Sequence, residues 1–175
     1  MNIKEINNLV SELGRKCLEM NKSEFESEVK SKIQNNPITP NNLNYLKKKL
    51  HNLPEDFPEV SQLGQNLALG QYVIFEIIFN IGAIALDLLK EIAFGGYDWT
   101  QANALETLCR LYVENEIHEN IIEEINNKIG NMMYETHLYF AKALLSRARK
   151  NFKYFKIINS ITDDEFQEVV LELKE

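Results

Sequence analysis

The sequence contains few of the residues that define several classes of protein. Its 175 residues include two cysteines, four prolines, seven glycines and one tryptophan. Cys17 and Cys109 are too few and too far apart for a disulfide scaffold, and neither has the close Cys or His neighbour that a zinc site needs. The low glycine and proline content excludes collagen-like and linker-dominated chains. We therefore expect both thiols to be reduced and buried.

Sequence motifs for catalysis, metal binding and phosphate binding are also missing. The three histidines are isolated, with neither an H-E-x-x-H motif nor a Glu-x-x-His pair. There is no Gly-rich phosphate loop, no G-x-S-x-G and no Cys-x-x-Cys. The adjacent carboxylates Glu123-Glu124 and Asp163-Asp164 do not face each other as an acid–base pair would. The sequence therefore indicates no catalytic residue, no metal ligand and no cofactor, and we predict that the protein is not an enzyme.

The N-terminus and the apolar middle of the chain bear on its cellular location. Residues 1–8 contain spaced apolar residues interrupted by Glu5, which is not the pattern of a signal peptide. The stretch Leu67–Leu86 is apolar enough to compare with a membrane span, but it contains Glu76, and a central carboxylate costs about 2.5–3.5 kcal/mol on insertion. We predict instead a buried helix pair broken near Asn80–Gly82, no membrane contact and a cytoplasmic location.

Helical periodicity dominates the chain, and no segment shows the regular alternation of a strand. The first apolar residues recur at the i, i+3, i+4, i+7 positions of an amphipathic helix. We predict a single all-α domain over residues 1–175, with about eight or nine helices. The arrangement is either an irregular array of helical hairpins or an orthogonal bundle. Pro54–Pro58 separates the N-terminal helices of residues 1–53 from a more apolar, repeat-like part in residues 57–175.

Local signals predict where several helices begin and end. Ser23 with Glu26, and Thr162 with Glu165, have the spacing of a capping box at the start of a helix. The double glycine Gly95–Gly96 predicts a helix end followed by a turn.

Three windows of the second part combine small residues with neighbouring leucines: Ile84–Leu89, Ala104–Leu111 and Ala141–Ala148. In Asp98–Leu111, an aromatic and charged start precedes an Ala-rich helix that ends in a Leu-x-x-Leu-like turn. This segment resembles the second helix of a HEAT or armadillo-type repeat. The resemblance to such repeats covers roughly residues 70–150. The resemblance implies a short α-solenoid. The spacing between the windows is irregular, so an irregular helical bundle explains the same residues.

The formal charge of −7 is distributed in blocks. Residues 1–60 are balanced, residues 97–135 carry a net charge of −6, residues 136–156 carry +6 without any acid, and residues 157–175 carry −5. The acidic total argues against a general nucleic-acid binder, which normally has a basic excess. The distribution is more informative than the total, because it predicts two charged surfaces of opposite sign.

The acidic block and the aromatic residues before it form the predicted partner-binding site. Its residues are Tyr97, Asp98, Trp99, Glu114, Glu116, Glu119, Glu123 and Glu124. Opposed charge accelerates association with a basic partner, and an exposed tryptophan is a common interface anchor. The alternatives are an acidic surface that only maintains solubility and a Trp99 that packs into the core.

Small, acidic, helix-rich bacterial chains of this kind are similar to immunity proteins, which neutralise a cognate toxin that is often a basic nuclease. The resemblance implies a protein–protein interaction module that binds and inhibits a basic protein.

The basic block supports an alternative function as a nucleic-acid-associated regulator. Its cations are Lys142, Arg147, Arg149, Lys150, Lys153 and Lys156. Phe152 and Phe155 lie among them, and cations with aromatic rings can bind phosphates and stacked bases, although the i, i+3 spacing of the two rings also suits a core. A scaffold or assembly subunit, including a homodimer formed through an apolar helix face, is the remaining alternative.

Overall fold

The computed structural model describes residues 1–60, 64–114, 117 and 120–174. Every regular element in these ranges is helical, which confirms the all-α prediction. The chain forms two compact units, Met1–Leu88 and Leu89–Glu175. The boundary between them lies inside a helix. The single-domain organisation stays a prediction.

The first unit is built around one long apolar helix, α4. Its elements are α1 (Ile3–Glu19), α2 (Lys22–Asn35), α3 (Leu43–Lys49), α4 (Gln65–Ile81) and the start of α5 (Leu86–Ala93). Helix α4 packs against α1, α2 and α3, and its Val73, Ile74 and Ile77 are completely buried. Gly82 ends α4 with a φ of 77°, which a residue with a side chain rarely adopts. This confirms the predicted break near Asn80–Gly82.

One helical segment within the described ranges, Gln65–Ala93, is long and apolar enough to cross a membrane by length and composition. Of its most apolar 18-residue window, 61% is buried inside the protein. The core helix of a soluble protein also passes this test of length and composition.

The capping residue of helix α2 lies two residues earlier than predicted. The Asn21 side-chain oxygen accepts hydrogen bonds from the backbone N–H groups of Ser23 (3.0 Å) and Glu24 (3.1 Å). The Glu24 carboxylate in turn accepts from the backbone N–H of Asn21 at 3.1 Å. The capping box is therefore Asn21 with Glu24, and the prediction of Ser23 with Glu26 is wrong.

The segment that follows α3, residues 50–58, lies against two glycines of the neighbouring helices. The Phe57 ring packs over Gly14 of α1, and the Leu53 side chain packs over Gly70 of α4. A Cβ atom at Gly14 would come within 2.5 Å of the Phe57 ring, so the missing side chain makes the contact possible.

Side-chain hydrogen bonds from neighbouring helices also hold this segment in place. Ser11 of α1 donates its hydroxyl to the Asp56 carboxylate at 2.7 Å. Gln71 of α4 donates its side-chain N–H to the Leu50 carbonyl at 3.1 Å. Both polar pairs join helix side chains to the segment, so it is fixed by directional contacts as well as by packing.

The second unit is organised around helix α8. The elements that follow α5 are α6 (Gln101–Val113), α7 (Ile121–Lys128), α8 (Tyr134–Ala148), α9 (Lys153–Ser160) and α10 (Asp164–Glu172). Helix α8 packs against α6, α9 and α10. Phe140 of α8 and Phe166 of α10 are completely buried, with ring centroids 5.5 Å apart. The inward face of α8 therefore supplies the centre of this unit's core.

The start of α10 also differs from its predicted cap. The Asp163 carboxylate accepts from the Phe166 backbone N–H at 2.9 Å, so Asp163 is the capping residue and the prediction of Thr162 is wrong. Glu165 is turned toward α8 instead, with a carboxylate oxygen 3.3 Å from Nδ1 of the fully buried His137. The other ring nitrogen of His137 lies 2.8 Å from the Ile129 carbonyl oxygen. His137 therefore contacts Glu165 of α10 and the Ile129 backbone from inside the core of the second unit.

A group of charged side chains links α6 to α8. Arg147 donates from Nε to the Glu106 carboxylate at 2.7 Å, and a guanidinium nitrogen of Arg110 lies 3.8 Å from the second carboxylate oxygen. The side chains of Glu106, Arg147 and Arg110 are only 12%, 17% and 4% exposed. One carboxylate thus faces two guanidinium groups in a largely water-free position.

Candidate functional site

Three exposed aromatic side chains form a continuous cluster on the second unit. The rings of Tyr97 and Trp99 have centroids 6.1 Å apart, and Trp99 lies 6.5 Å from Tyr139 of α8. These distances are those of tilted aromatic pairs. Tyr97, Trp99 and Tyr139 are 45%, 65% and 49% exposed. We call these three residues the aromatic cluster. Trp99 is on the surface, so the alternative that it packs into the core is wrong.

The turn before α6 sets the position of Tyr97 and Trp99. After α5 the chain passes through Gly95 and Gly96 and reaches Asp98, whose carboxylate accepts from the Thr100 backbone N–H at 2.8 Å. Thr100 is buried at the start of α6. Since Asp98 and Thr100 are fixed by this bond, the intervening Trp99 projects outward.

A buried hydrogen bond brings Tyr139 to the same place. Thr136 of α8 donates its hydroxyl to the side-chain oxygen of Gln101 at 2.8 Å, and both residues are buried. Tyr139 is three residues after Thr136 on α8, and Gln101 is two residues after Trp99. The contact between α6 and α8 therefore sets the spacing of the cluster.

Carboxylates accompany the aromatic cluster. Partial desolvation, the Glu135 carboxylate, and then the Tyr139 and Asp98 side chains raise the pKa of the Tyr97 hydroxyl. The phenol consequently stays protonated and remains a hydrogen-bond donor. The ammonium of Lys142 lies 5.7 Å from the centroid of the Tyr139 ring, so one edge of the cluster already holds a cation against an aromatic face.

A groove of about 420 Å³ lies beside Tyr97. Phe94, Met132, Met133 and Lys128 contribute to its lining, and the Lys128 ammonium lies 4.3 Å from the centroid of the Phe94 ring. Methionine side chains are flexible and polarisable, which suits contact with varied partner side chains. The groove extends the apolar surface of the cluster.

The predicted acidic residues have different environments. Lys90 and Lys128 lie 2.9 Å and 3.3 Å from the Glu124 carboxylate. Burial raises the pKa of Glu124, but the two ammonium groups outweigh burial and hold that pKa below its ordinary value. Glu123 accepts from the Asn120 side chain at 2.6 Å at the start of α7, and Glu114 is exposed after α6.

Glu116 and Glu119 lie outside the described residues. Among the predicted site residues, the structure brings together Tyr97, Asp98 and Trp99. It places Glu123 against Asn120 at the start of α7, and Glu124 between Lys90 of α5 and Lys128 of α7. Tyr139 and Glu135 were missed by the sequence analysis.

The predicted basic residues are mostly on the surface. Lys142, Arg149, Lys150, Lys153 and Lys156 are exposed, whereas Arg147 is held by Glu106. Phe152 is 69% exposed, and its ring centroid lies 6.0 Å from that of Phe155. The interpretation of Phe152 as a core residue is therefore wrong.

Groups that could support metal or thiol chemistry are not gathered at this site. Within residues 1–60, 64–114, 117 and 120–174, no group of three or more His, Cys, Asp or Glu side chains could hold a metal ion. Cys109 is buried, but Cys17 is only half-buried, so the expectation that both thiols are buried is wrong for Cys17. Burial raises the pKa of Cys109, and partial burial together with Glu76 raises that of Cys17. Both thiols therefore stay protonated and weakly nucleophilic at neutral pH. No family model, curated protein or solved structure matches the chain.

Proposed function

We propose that this protein is a cytoplasmic protein-binding module that recognises a basic protein through Tyr97, Trp99 and Tyr139. The observation that carries the proposal is the exposure of the three neighbouring rings. Tryptophan and tyrosine dominate the binding energy of many interfaces. A cluster of them exposed to water is costly to maintain without a partner to cover it.

The charge around the cluster favours a cationic partner. Asp98 and Glu135 lie close enough to Tyr97 to raise its pKa, and the chain carries a net charge of −7. An arginine or lysine side chain stacked on Trp99 would combine a cation–π contact with attraction to these carboxylates. The contact between Lys142 and Tyr139 provides an internal example of this geometry.

The biological role that we infer is neutralisation of the basic partner, as an immunity protein neutralises its toxin. The partner would bind by surface complementarity. Trp99 would be the central anchor of the interface, and the methionine-lined groove would accommodate neighbouring side chains of the partner. Glu124 is tied to Lys90 and Lys128, so it contributes less to this recognition than the carboxylates beside the cluster.

The W99A variant should weaken partner binding by about 2 kcal/mol, or roughly thirtyfold in Kd, because it removes the most exposed ring of the cluster. The partner is first captured from host extract at low salt, then purified and titrated calorimetrically. The F152A variant is the matched control, since Phe152 is exposed to a similar extent but lies outside the cluster. Equal weakening in W99A and F152A, or capture of no basic protein, would count against the proposal.

A second candidate function is binding of single-stranded nucleic acid by the basic segment, residues 149–156. The observation that favours it is the exposed Phe152 ring among exposed Arg149, Lys150 and Lys153. Exposed rings beside cations allow bases to stack while phosphates are neutralised.

If this candidate is correct, an oligonucleotide should be retarded in gels at low salt. The slope of log affinity against log salt should then shrink by roughly 0.7 for each phosphate-binding cation that R149Q and K150Q remove. The K4Q variant, which changes an exposed lysine of α1, should leave the slope unchanged. No retardation at low salt would remove this candidate.

A further inference from the structure

A second cleft, separate from the aromatic cluster, lies among α6, α7 and α9. Its volume of about 440 Å³ lies within the range of roughly 300–1,000 Å³ that small-molecule sites occupy. Tyr112 and Val113 come from the end of α6, Ile122 from α7, and Lys153, Lys156 and Ile157 from α9. Three helices of one compact unit therefore contribute to it.

The floor of the cleft is apolar. Val113, Ile117 and Ile157 line it and are all buried, while Ile122 is half-buried. These side chains offer no hydrogen bond to a ligand. A small inorganic ion would lose its hydration on this floor without compensation, whereas a hydrocarbon chain would gain from covering it.

The rim of the cleft is cationic. Lys153 and Lys156 are three residues apart on α9 and so project from the same side of the helix. Lys153 donates to the Val113 carbonyl at the end of α6 at 3.3 Å, which fixes its ammonium at the mouth of the cleft. An ammonium has three N–H donors, so this bond leaves donors for a ligand. No carboxylate belongs to the lining that the described residues provide.

We propose that this cleft binds a small amphipathic anion, with an apolar tail on the isoleucine floor and a single carboxylate at the two lysines. The apolar floor and the cationic rim each select one half of such a molecule. The residues of this cleft lie outside the aromatic cluster. The outcome of the test below is therefore independent of partner binding by Trp99.

The test is calorimetric titration of the intact protein with octanoate, with acetate and octanamide as matched probes. Octanoate should bind saturably, and acetate and octanamide at least tenfold more weakly, because each lacks either the tail or the charge. The double variant K153Q/K156Q should weaken octanoate binding at least tenfold. K174Q, which changes an exposed lysine outside the cleft, should bind as the wild type does.

A second variant tests the cleft without altering its charge. I122W should fill the space above the floor and abolish octanoate binding, while its circular dichroism stays helical. The proposal is overturned if octanoate does not bind saturably, if octanamide binds equally well, or if K153Q/K156Q or I122W binds as the wild type does. An oligonucleotide that binds the wild type but not K153Q/K156Q, in the absence of saturable octanoate binding, would instead assign the two lysines to nucleic acid.

Discussion

Replacing Glu106 by glutamine should lower the free energy of unfolding by about 3 kcal/mol, a large fraction of the stability of an ordinary domain. The Glu106 carboxylate faces Arg147 at 2.7 Å and Arg110 at 3.8 Å, and all three side chains are largely buried. E106Q removes the negative charge that lies between the two guanidinium groups. The unfolding midpoint in urea, followed by circular dichroism, measures the destabilisation.

A matched control is E123Q, which neutralises an exposed glutamate of α7 and should change stability by less than about 0.5 kcal/mol. In a double-mutant cycle, E106Q and R147Q should be strongly non-additive, since R147Q removes one of the two cations that face Glu106. An E106Q variant as stable as E123Q would show that the network contributes nothing to folding.

The F140A variant should cost about 3–5 kcal/mol, because it leaves a cavity at the centre of the second unit. Phe140 is completely buried on the inward face of α8, and its ring packs against that of Phe166. The surrounding helices α6, α9 and α10 all rest on α8, so the walls of the cavity cannot collapse easily. Thermal and urea denaturation should both show the destabilisation.

The neighbouring residue on α8 provides the control for this prediction. Y139A removes an aromatic ring of similar size that is 49% exposed, and it should leave stability nearly unchanged while weakening partner binding. F140L should lie between the wild type and F140A because it keeps much of the buried volume. If F140A and Y139A unfold at the same urea concentration, the assignment of α8 as the core helix is contradicted.

The all-α class follows from the sequence because the period of the apolar residues is local information. Single caps are less predictable, since several polar residues near one boundary can serve equally well. At α2, Asn21 and Ser23 both suit the position, and Asn21 is used. At α10, Asp163 is used although Thr162 matches the motif. The HEAT-like resemblance stays a prediction.

The sequence predicts two of the three residues of the aromatic cluster. Tyr97 and Trp99 are adjacent to a glycine turn, which marks them in the sequence. Tyr139 joins them only because the bond between Gln101 and Thr136 fixes the contact of α6 with α8. A signal did exist: Tyr139 lies off the buried stripe of α8 that contains Phe140 and Leu144, and an aromatic residue on the polar side of a helix suggests a binding role.

The ion-pair partner of a charged residue is also difficult to predict from the sequence. Arg147 belongs to a sequence block with only basic residues, which predicts an exposed cation. In the structure it is paired with Glu106, 41 residues earlier in the chain. Such a pairing depends on tertiary packing and cannot be deduced from charge counts along the sequence.

The two glycines beneath residues 50–58 restrict how sequences descended from this one can diverge. Gly14 can gain a side chain only if Phe57 becomes smaller, and Gly70 only if Leu53 moves or shrinks. The restriction is stricter at Gly14, since an aromatic ring is rigid and a leucine can rotate. We expect each glycine to be retained as long as its large partner is retained, so that these distant positions change together.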